Sequence, residues 1–253
     1  MQRYSRHLTV IILSILLLSC STPRYHHVPV VNVSTIEPIP TSGTHRVKNG
    51  ETLYAIAWRY GMDHRTLATI NHLPVPWHVK TGQVIQLRRH THQLALRKKT
   101  IVAKHTHQSV IAPTKPILSA ETSPESCSFL NNINAWRWPA HGSIKGIYSS
   151  FNKGINISGK VGDPIFATAP GQVVYQGSGL RGYGNLIIIR HNGAWLSAYA
   201  WNQDVLVKQG QCVHRGQRIA TMGQGIDRIA MLHFEIRRSG RPVNPLHYLS
   251  VRG

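Results

Sequence analysis

The chain has 253 residues, 42% of them hydrophobic, which excludes a wholly disordered protein and provides for about two packed domains with a linker. Its 29 lysines and arginines outnumber its 9 aspartates and glutamates, for a formal net charge of +20. A chain this basic is attracted to anionic surfaces, among which nucleic acid is the first candidate. The N-terminal segment argues against nucleic acid, because it directs the chain away from the chromosome.

Residues 1–19 have the features of a secretory signal, with two arginines before an apolar run over 8–18 that is too short to span a bilayer. The sequence "LLSC", which ends at Cys20, resembles the lipobox of bacterial lipoproteins, in which the cysteine is acylated. A plain signal peptide or a short anchor is the alternative. Because Ser21 rather than an aspartate follows Cys20, the resemblance implies a lipid anchor in the outer membrane of a Gram-negative cell, facing the periplasm.

Cys127 and Cys212 are the two other cysteines. The predicted compartment permits disulfides, but two cysteines carry no framework information. The sequence therefore leaves open whether they pair or remain independent thiols. Neither lies in a CxxC spacing, so a structural zinc site built on them is not expected.

After a flexible tether predicted over 20–43, order resumes at residues 44–87. Leu53, Ile56, Ala57 and Tyr60 follow a helical period, with Thr52 placed to cap the helix. A second short helix begins after Asp63, and short β-type runs at 45–47 and 84–87 flank the pair. The pattern predicts a small βααβ domain.

The segments "VKNGETLYAIAWRYG" and "TGQVIQL" within this domain resemble the LysM family. The resemblance implies binding to the N-acetylglucosamine backbone of peptidoglycan in a shallow groove. By position, the groove residues lie in two loops: Gly50, Thr52, Leu53, Asn71 and Leu73. The alternative is that these residues only form turns and caps, as Gly50 and Thr52 do in any case.

Residues 88–134 are basic, with no acidic residue before Glu121, and they predict a disordered basic linker. Two histidine pairs, at 90 and 92 and at 105 and 107, can be interpreted as a metal-binding tract or as solvated side chains. Adhesion to anionic lipid or to peptidoglycan carboxylates needs no specific residue of this linker.

Residues 135–253 predict a mostly antiparallel β domain, because short Val-, Ile- and Tyr-rich runs alternate with glycine and proline. The predicted strands span 164–167, 172–175, 186–190, 195–200, 218–221 and 232–237.

The motifs "NKGINI", "GDPIFATAPGQVVYQG", "GYGNLIIIRHNG", "SAYAWN" and "MLHFEIR" occur here in the order found in LytM domains. The resemblance covers 138–249 and implies the fold of the lysostaphin-type zinc endopeptidases. Active members bind zinc through two histidines and an aspartate, and two further histidines assist the water. The matching positions here are Asn152, Asn156, His233, Trp201 and Met231.

Four of these five positions are therefore replaced. A neutral amide is a weak zinc ligand, Trp201 cannot accept a proton, and Met231 is no base. The sequence predicts no metal, no cofactor and no catalysis. The remaining route to an endopeptidase is a set of non-standard ligands from other histidines, namely His141, His191, His214 or His247.

A degenerate LytM domain after a LysM domain in a lipoprotein resembles the NlpD family of cell-division activators, as does the run "GLRGYGNLIIIRHNGAWLSAYAWN". The resemblance implies activation of periplasmic N-acetylmuramoyl-L-alanine amidases that split septal peptidoglycan. The activator would bind a helix that otherwise blocks the amidase active site. The departures at Asn156 and Trp201 put contacts through those residues in doubt. The alternative from another class is a structural tether between outer membrane and peptidoglycan.

The replaced site suggests where such a partner binds. Trp201 and Met231 turn a polar hollow into an apolar one that suits the apolar face of a helix, with Arg181 and Tyr183 at its rim. The alternative is that Trp201 and Met231 merely fill the space left by the metal.

Overall fold

A computed structural model describes residues 36–88, 127 and 136–251. Residues 36–88 form a small domain with the predicted βααβ order, which confirms that expectation. Its elements are β1 (Thr44–Arg46), α1 (Leu53–Arg59), α2 (His64–Ile70) and β2 (Val84–Gln86). Strands β1 and β2 pair antiparallel.

The two helices of the small domain begin at side-chain caps. Thr52 Oγ1 accepts from the backbone N of Ala55 at 3.1 Å, and Asp63 caps α2 in the same way. The helix-period stripe of α1, with Leu53 and Ile56 among its members, packs against Leu67 and Ile85 in one core. The inward face predicted for α1 is thus the face that the structure buries against its own domain.

Residues 36–43, which the sequence assigned to the tether, lie against the small domain. The backbone N of Glu37 donates to the carbonyl of Arg59 at 2.9 Å, and its carboxylate accepts from Arg59 Nη1 at 2.8 Å. Ile39 packs on the core. The small domain therefore includes contacts from residues 36–43.

Residues 136–251 form the β domain. Its strands are β3 (Ile144–Gly146), β4 (Ile155–Ser158), β5 (Pro164–Phe166), β6 (Gly171–Gly177), β7 (Asn185–Arg190), β8 (Trp195–Val205), β9 (Cys212–Val213), β10 (Arg218–Met222), β11 (Met231–Arg238) and β12 (Arg241–Val243). The main sheet has the order β3-β4-β11-β8-β7-β6-β9, β10 joins β5 to β8, and β12 pairs with β11. All six predicted strands are present, and a mostly antiparallel β domain is confirmed.

The main sheet is buried on both faces. Ile187 and Ile189 of β7 point into the main core, whereas Leu186 and Ile188 point to the opposite face. An uninterrupted apolar run such as "LIII" is typical of a strand that is covered on both sides. The second face is covered by α1 of the small domain.

We call this contact between the two domains the seam. Tyr54, Ala55 and Trp58 of α1 share one buried cluster with residues of β6, β7 and β8. Every residue of α1 is buried, because one side faces its own domain and the other faces the sheet. The seam was not predicted from the sequence.

Polar contacts run along the seam as well. Arg59 Nη2 donates to the carbonyl of Gly179 at 3.1 Å, and Arg65 Nη2 donates to Ser239 Oγ at 3.3 Å. Gly240, with φ of 79°, lies so close to Met62 that a Cβ at this position would collide with the Met62 backbone. A glycine is therefore required where the turn after β11 approaches the small domain.

Cys127 and Cys212 form a disulfide, with Cα atoms 5.8 Å apart, which decides the question that the sequence left open. It ties residue 127 to β9. The signal segment, the tether before residue 36 and the linker, apart from Arg88 and Cys127, lie outside the described residues. Across 36–88 and 136–251, no helix has the length and apolar character needed to cross a bilayer.

A buried histidine at the seam leads to a pH prediction. His64 packs between the rings of Tyr54 and Trp77, with centroids 4.6 and 5.3 Å away. Neither of its ring nitrogens has a hydrogen-bond partner. Burial lowers the pKa of His64 from 6.5 to about 4, and the charges of Arg65 and Arg190 add to this shift while Asp63 opposes it.

Because the folded state disfavours protonation of His64, this residue contributes stability above pH 6.5 that is lost as the pH falls towards 4. We expect its share of the free energy of unfolding to fall by up to about 3 kcal/mol over that window. Urea unfolding of the wild type and of His64→Phe at several pH values measures this share. His191, whose pKa burial also lowers to about 4, is common to both proteins. Parallel pH profiles of the two proteins would contradict the prediction.

Candidate functional site

The predicted former metal position lies across three adjacent strands. His233 on β11 pairs with Asn156 on β4 and with Ala200 on β8. Trp201 follows Ala200, and Met231 precedes His233 by two residues on the same face of the strand. The structure therefore brings these predicted residues together.

Asn152 reaches the same place from the loop between β3 and β4. A side chain at Gly146 would meet the Nδ2 atoms of both Asn156 and Asn152, at 2.8 and 3.1 Å from a Cβ. Asn152 Nδ2 donates to the carbonyl of Ile147 at 3.0 Å, while its buried Oδ1 has no hydrogen-bond partner. All five positions that the LytM resemblance singled out are thus neighbours.

His233 is buried and held at both ring nitrogens. Nδ1 lies 2.7 Å from Asn156 Oδ1, and Nε2 lies 3.1 Å from Glu235 Oε1. Its imidazole is occupied by oxygen atoms of the protein itself. Metal coordination by either ring nitrogen would require the contact at that nitrogen to break.

The side chains at this position do not fit a catalytic zinc ion. Such a site needs three His, Cys or carboxylate ligands around one open position. Here His233 is joined by two neutral amides, of which Asn156 already accepts from His233 and Asn152 offers one carbonyl oxygen. Among the described residues, no three His, Cys, Asp or Glu side chains are grouped closely enough to hold a metal ion.

The other histidines do not supply the missing ligands. His191 Nδ1 donates to the carbonyl of Pro170 at 2.8 Å, and its Nε2 lies 2.7 Å from Ser197 Oγ in the interior. His141, His214 and His247 are on the surface. His191 therefore has a structural role in the main core, next to Trp136.

Trp201 and Met231 pack against each other and fill the space beside His233. Their exposed fractions are only 6 and 7%. Trp201 has a φ of 62°, a strained value for a bulky residue, and its Nε1 donates to the carbonyl of Gly182 at 2.9 Å. Because both side chains are buried against each other, they fill the former site and do not line an open apolar groove.

Exposed apolar side chains lie in two loops that flank the site. Phe151, 61% exposed, belongs to the loop before β4, and Ile226, 53% exposed, belongs to the loop before β11. Because β4 and β11 run antiparallel with Met231 opposite Ser158, the two loops enter at opposite ends of this strand pair. Ile147 and Ile229 add to the same two loops and are also exposed.

A buried polar network extends from His233 along β11. Glu235 Oε1 accepts from Tyr183 OH at 2.8 Å, and Glu235 Oε2 accepts from Arg237 Nε at 2.9 Å. Arg237 continues to the small domain, where its Nη1 donates to the carbonyl of Trp58 at 2.8 Å. Glu235, Arg237 and Trp58 were not predicted as site residues, although all three lie in the segments that resemble the LytM and LysM families.

The network keeps Glu235 ionised in the interior. Burial by itself would raise the pKa of Glu235, but the charge of Arg237 and hydrogen bonds from His233 and Tyr183 lower it to about 2. Burial and the charge of Glu235 raise the pKa of Tyr183, so that its hydroxyl remains a donor. The Glu235–Arg237 pair is fully desolvated, and each charge depends on the other.

The two predicted rim residues have different positions. Arg181 is exposed, as a rim residue must be, whereas Tyr183 is buried. Gly182 and Gly184 both have positive φ, and the turn that they form directs Tyr183 inward to Glu235. Tyr183 is therefore a member of the buried network and does not form the rim.

In the small domain, the predicted glycan residues are partly committed to structure. Leu53 is in the core and Thr52 caps α1. Asn71 joins α2 to β2 by bonding the carbonyl of Leu67 and both backbone groups of Gln86 at 2.7–2.9 Å. Gly50 is exposed and Leu73 is half-buried, so their role in glycan binding stays a prediction.

Comparison with known proteins assigns both domains. A sequence profile of peptidase family M23 matches residues 150–245, and that of the LysM domain matches residues 45–88. Lysostaphin from Staphylococcus simulans, a solved structure, is 25% identical over 45% of this chain and 51% of its own, with a TM-score of 0.40.

Two relatives are similar over most of their length. A lipoprotein NlpD/LppB homolog of Pseudomonas aeruginosa is 40% identical, over 94% of this chain and 89% of the relative. The murein hydrolase activator NlpD of Escherichia coli K12 is 38% identical, over 84% of this chain and 69% of the relative.

Proposed function

Because the chain belongs to the NlpD family of lipoproteins, we propose that it activates murein hydrolases and does not itself cleave peptidoglycan. The hydrolases are periplasmic N-acetylmuramoyl-L-alanine amidases, which split septal peptidoglycan as daughter cells separate. The observation that supports the absence of catalysis is the side-chain set Asn152, Asn156, Trp201 and Met231 around His233. None of the four replacements can act as a general base for water.

The proposal includes a place in the cell envelope. Acylation of Cys20 anchors the chain in the outer membrane, and the LysM domain holds it on the peptidoglycan strands beneath. Cys20 lies outside the described residues. Two anchors on one chain keep the β domain at high effective concentration near the hydrolase and its substrate.

Activation works by differential binding. A hydrolase that exchanges between blocked and open states is shifted to the open state by a partner that prefers that state, and by no more than this preference. The apolar residues Phe151 and Ile226 beside the site suit the apolar face of a helix that blocks the hydrolase. Arg181, exposed nearby, offers a two-pronged contact to a carboxylate on that helix.

Dye release from labelled sacculi tests the proposal. The purified chain is incubated with sacculi alone and together with each periplasmic amidase of its host. We expect release only in the mixtures that contain an activated amidase. Dye release by the chain alone would support an endopeptidase with non-standard ligands. No dye release in any mixture would support a structural tether.

The exposed apolar residues give a sharper prediction. We expect Phe151→Ser and Ile226→Ser each to lower activation about five- to tenfold. Each substitution removes apolar contact area from the complex with the amidase, which costs roughly 1 kcal/mol or more of binding free energy. Thermal unfolding of the variants is expected to match the wild type, since both side chains are exposed. Leu206→Ser, at a 52% exposed position outside these loops, is the matched control. Full activation by both loop variants would exclude these loops as the contact.

A further inference from the structure

The sheet face beneath the small domain is continuous with the site. Strand β11 carries His233 at the site and Arg237 beneath Trp58, whose ring centroid is 3.6 Å from the Arg237 guanidinium carbon. Glu235 lies between them and contacts both side chains. Four residues of a strand span about 13 Å, so the small domain begins about that far from His233.

Several buried polar atoms at the seam lack a hydrogen-bond partner. Within the described residues, seven buried side-chain nitrogen and oxygen atoms lack a hydrogen-bond partner. Five of them belong to residues of the seam: Trp58 Nε1, Arg59 Nε, His64 Nδ1, His64 Nε2 and Arg190 Nε. Each of these atoms regains hydrogen bonds to water when the seam opens, which offsets part of the apolar contact that is lost.

One seam residue also connects to the predicted glycan loop. Arg59 Nη2 donates to Glu51 Oε1 at 2.7 Å and to the carbonyl of Gly179 at 3.1 Å. Glu51 lies between Gly50 and Thr52, which the LysM resemblance places at the glycan. A single side chain thus joins the glycan loop to the turn that carries Arg181 and Tyr183.

The sheet face that contacts α1 is apolar and needs a cover to stay out of water. Val174, Leu186, Ile188, Leu196 and Ala198 are buried in the same cluster as α1. Without a cover they would form a contiguous apolar patch, which soluble proteins rarely expose outside binding sites. A partner that displaces the small domain must therefore present an apolar surface of similar shape, and α1 itself shows that a helix with aromatic residues fits.

We propose that the small domain is a detachable cover, and that this domain and an apolar helix of the murein hydrolase occupy the same sheet face in turn. A helix of about nine residues laid along β11 from His233 reaches Trp58, because it rises 1.5 Å per residue. A longer helix requires the small domain to move. This inference rests on the proposed function and adds to it the surface that the hydrolase takes.

A cross-link across the seam tests the cover. Arg65 and Ser239 are exposed and in contact through Nη2 and Oγ at 3.3 Å. In the full chain with Cys20→Ser, Arg65→Cys and Ser239→Cys are joined by a short bis-maleimide, while Cys127 and Cys212 are oxidised and do not react. We expect the cross-linked chain to activate the amidase at least tenfold less than the same variant without cross-linker. The Cys20→Ser chain without the two introduced cysteines, treated with the reagent, is the control.

The same variant reports the movement directly. Spin labels on the two cysteines give the distance across the seam, which we expect to increase by at least about 10 Å, the diameter of a helix, when an activatable amidase is added. An unchanged distance, or full activation by the cross-linked chain, would contradict the proposal that the small domain is a detachable cover. Either result would leave the activator function intact. If wild type and uncross-linked variant activate no amidase, the proposed function itself fails.

Discussion

Arg237→Met is expected to lower the free energy of unfolding by about 3–5 kcal/mol, the cost of leaving a buried charge without its partner. Glu235 is fully buried and ionised, and the Arg237 guanidinium contacts it at 2.9 Å, beside hydrogen bonds from His233 and Tyr183. Methionine keeps much of the side-chain length but supplies no charge and no donor to Glu235 or to the carbonyl of Trp58. Urea unfolding followed by circular dichroism measures the loss.

Arg238→Met is the matched control for this variant. Arg238 is the next residue of β11, is exposed and lies over Trp195 with its guanidinium carbon 5.3 Å from the ring centroid. We expect its replacement to cost at most about 1 kcal/mol. Equal losses for the two variants would mean that Glu235 does not depend on Arg237.

Removal of the disulfide is expected to have the second largest effect. The bridge between Cys127 and Cys212 closes a loop with a sequence separation of 85 residues. Closing a loop of this length restricts the unfolded chain by roughly 4.5 kcal/mol in the chain-entropy treatment, and measured effects are typically about 2–4 kcal/mol. Cys127→Ser with Cys212→Ser should be less stable than wild type by that amount.

Reduced wild type is the control for the disulfide prediction. With a thiol reductant present, wild type and double variant should unfold at the same urea concentration, since neither then contains the bridge. A double variant as stable as the oxidised wild type would show that the bridge does not constrain the unfolded chain. A variant less stable than reduced wild type would point to lost packing at Cys127, which is buried.

The elements of both domains were predictable because their patterns are local. The stripe that contains Leu53 and Ile56 gave α1 its inward face, and apolar runs between turn residues gave six strands. Strands β3, β4, β9 and β12 were missed, because none exceeds four residues and short runs carry little period.

The seam was missed for a different reason. Tyr54 and Trp58 lie outside the inward stripe of α1, and apolar residues all round a helix indicate burial on a second side. That signal was present in the sequence, but the partner surface lies more than a hundred residues away. No local pattern connects Trp58 to Arg237.

The site shows the same limit. Family motifs located Asn152, Asn156, Trp201, Met231 and His233, and strand register brings them together. The motifs did not show that Tyr183 turns inward, because its partner Glu235 is 52 residues away. Nor did they show that Trp201 and Met231 are buried and that exposed apolar surface lies in the flanking loops instead.

The proposed function requires that this chain activates an amidase and cuts no bond itself. Mass spectrometry of the fragments released from sacculi by the chain and an amidase together tests it most directly. We expect only products of cleavage between N-acetylmuramic acid and L-alanine, with every peptide cross-link intact. Cross-link cleavage that depends on the chain and persists with a catalytically inactive amidase would contradict it.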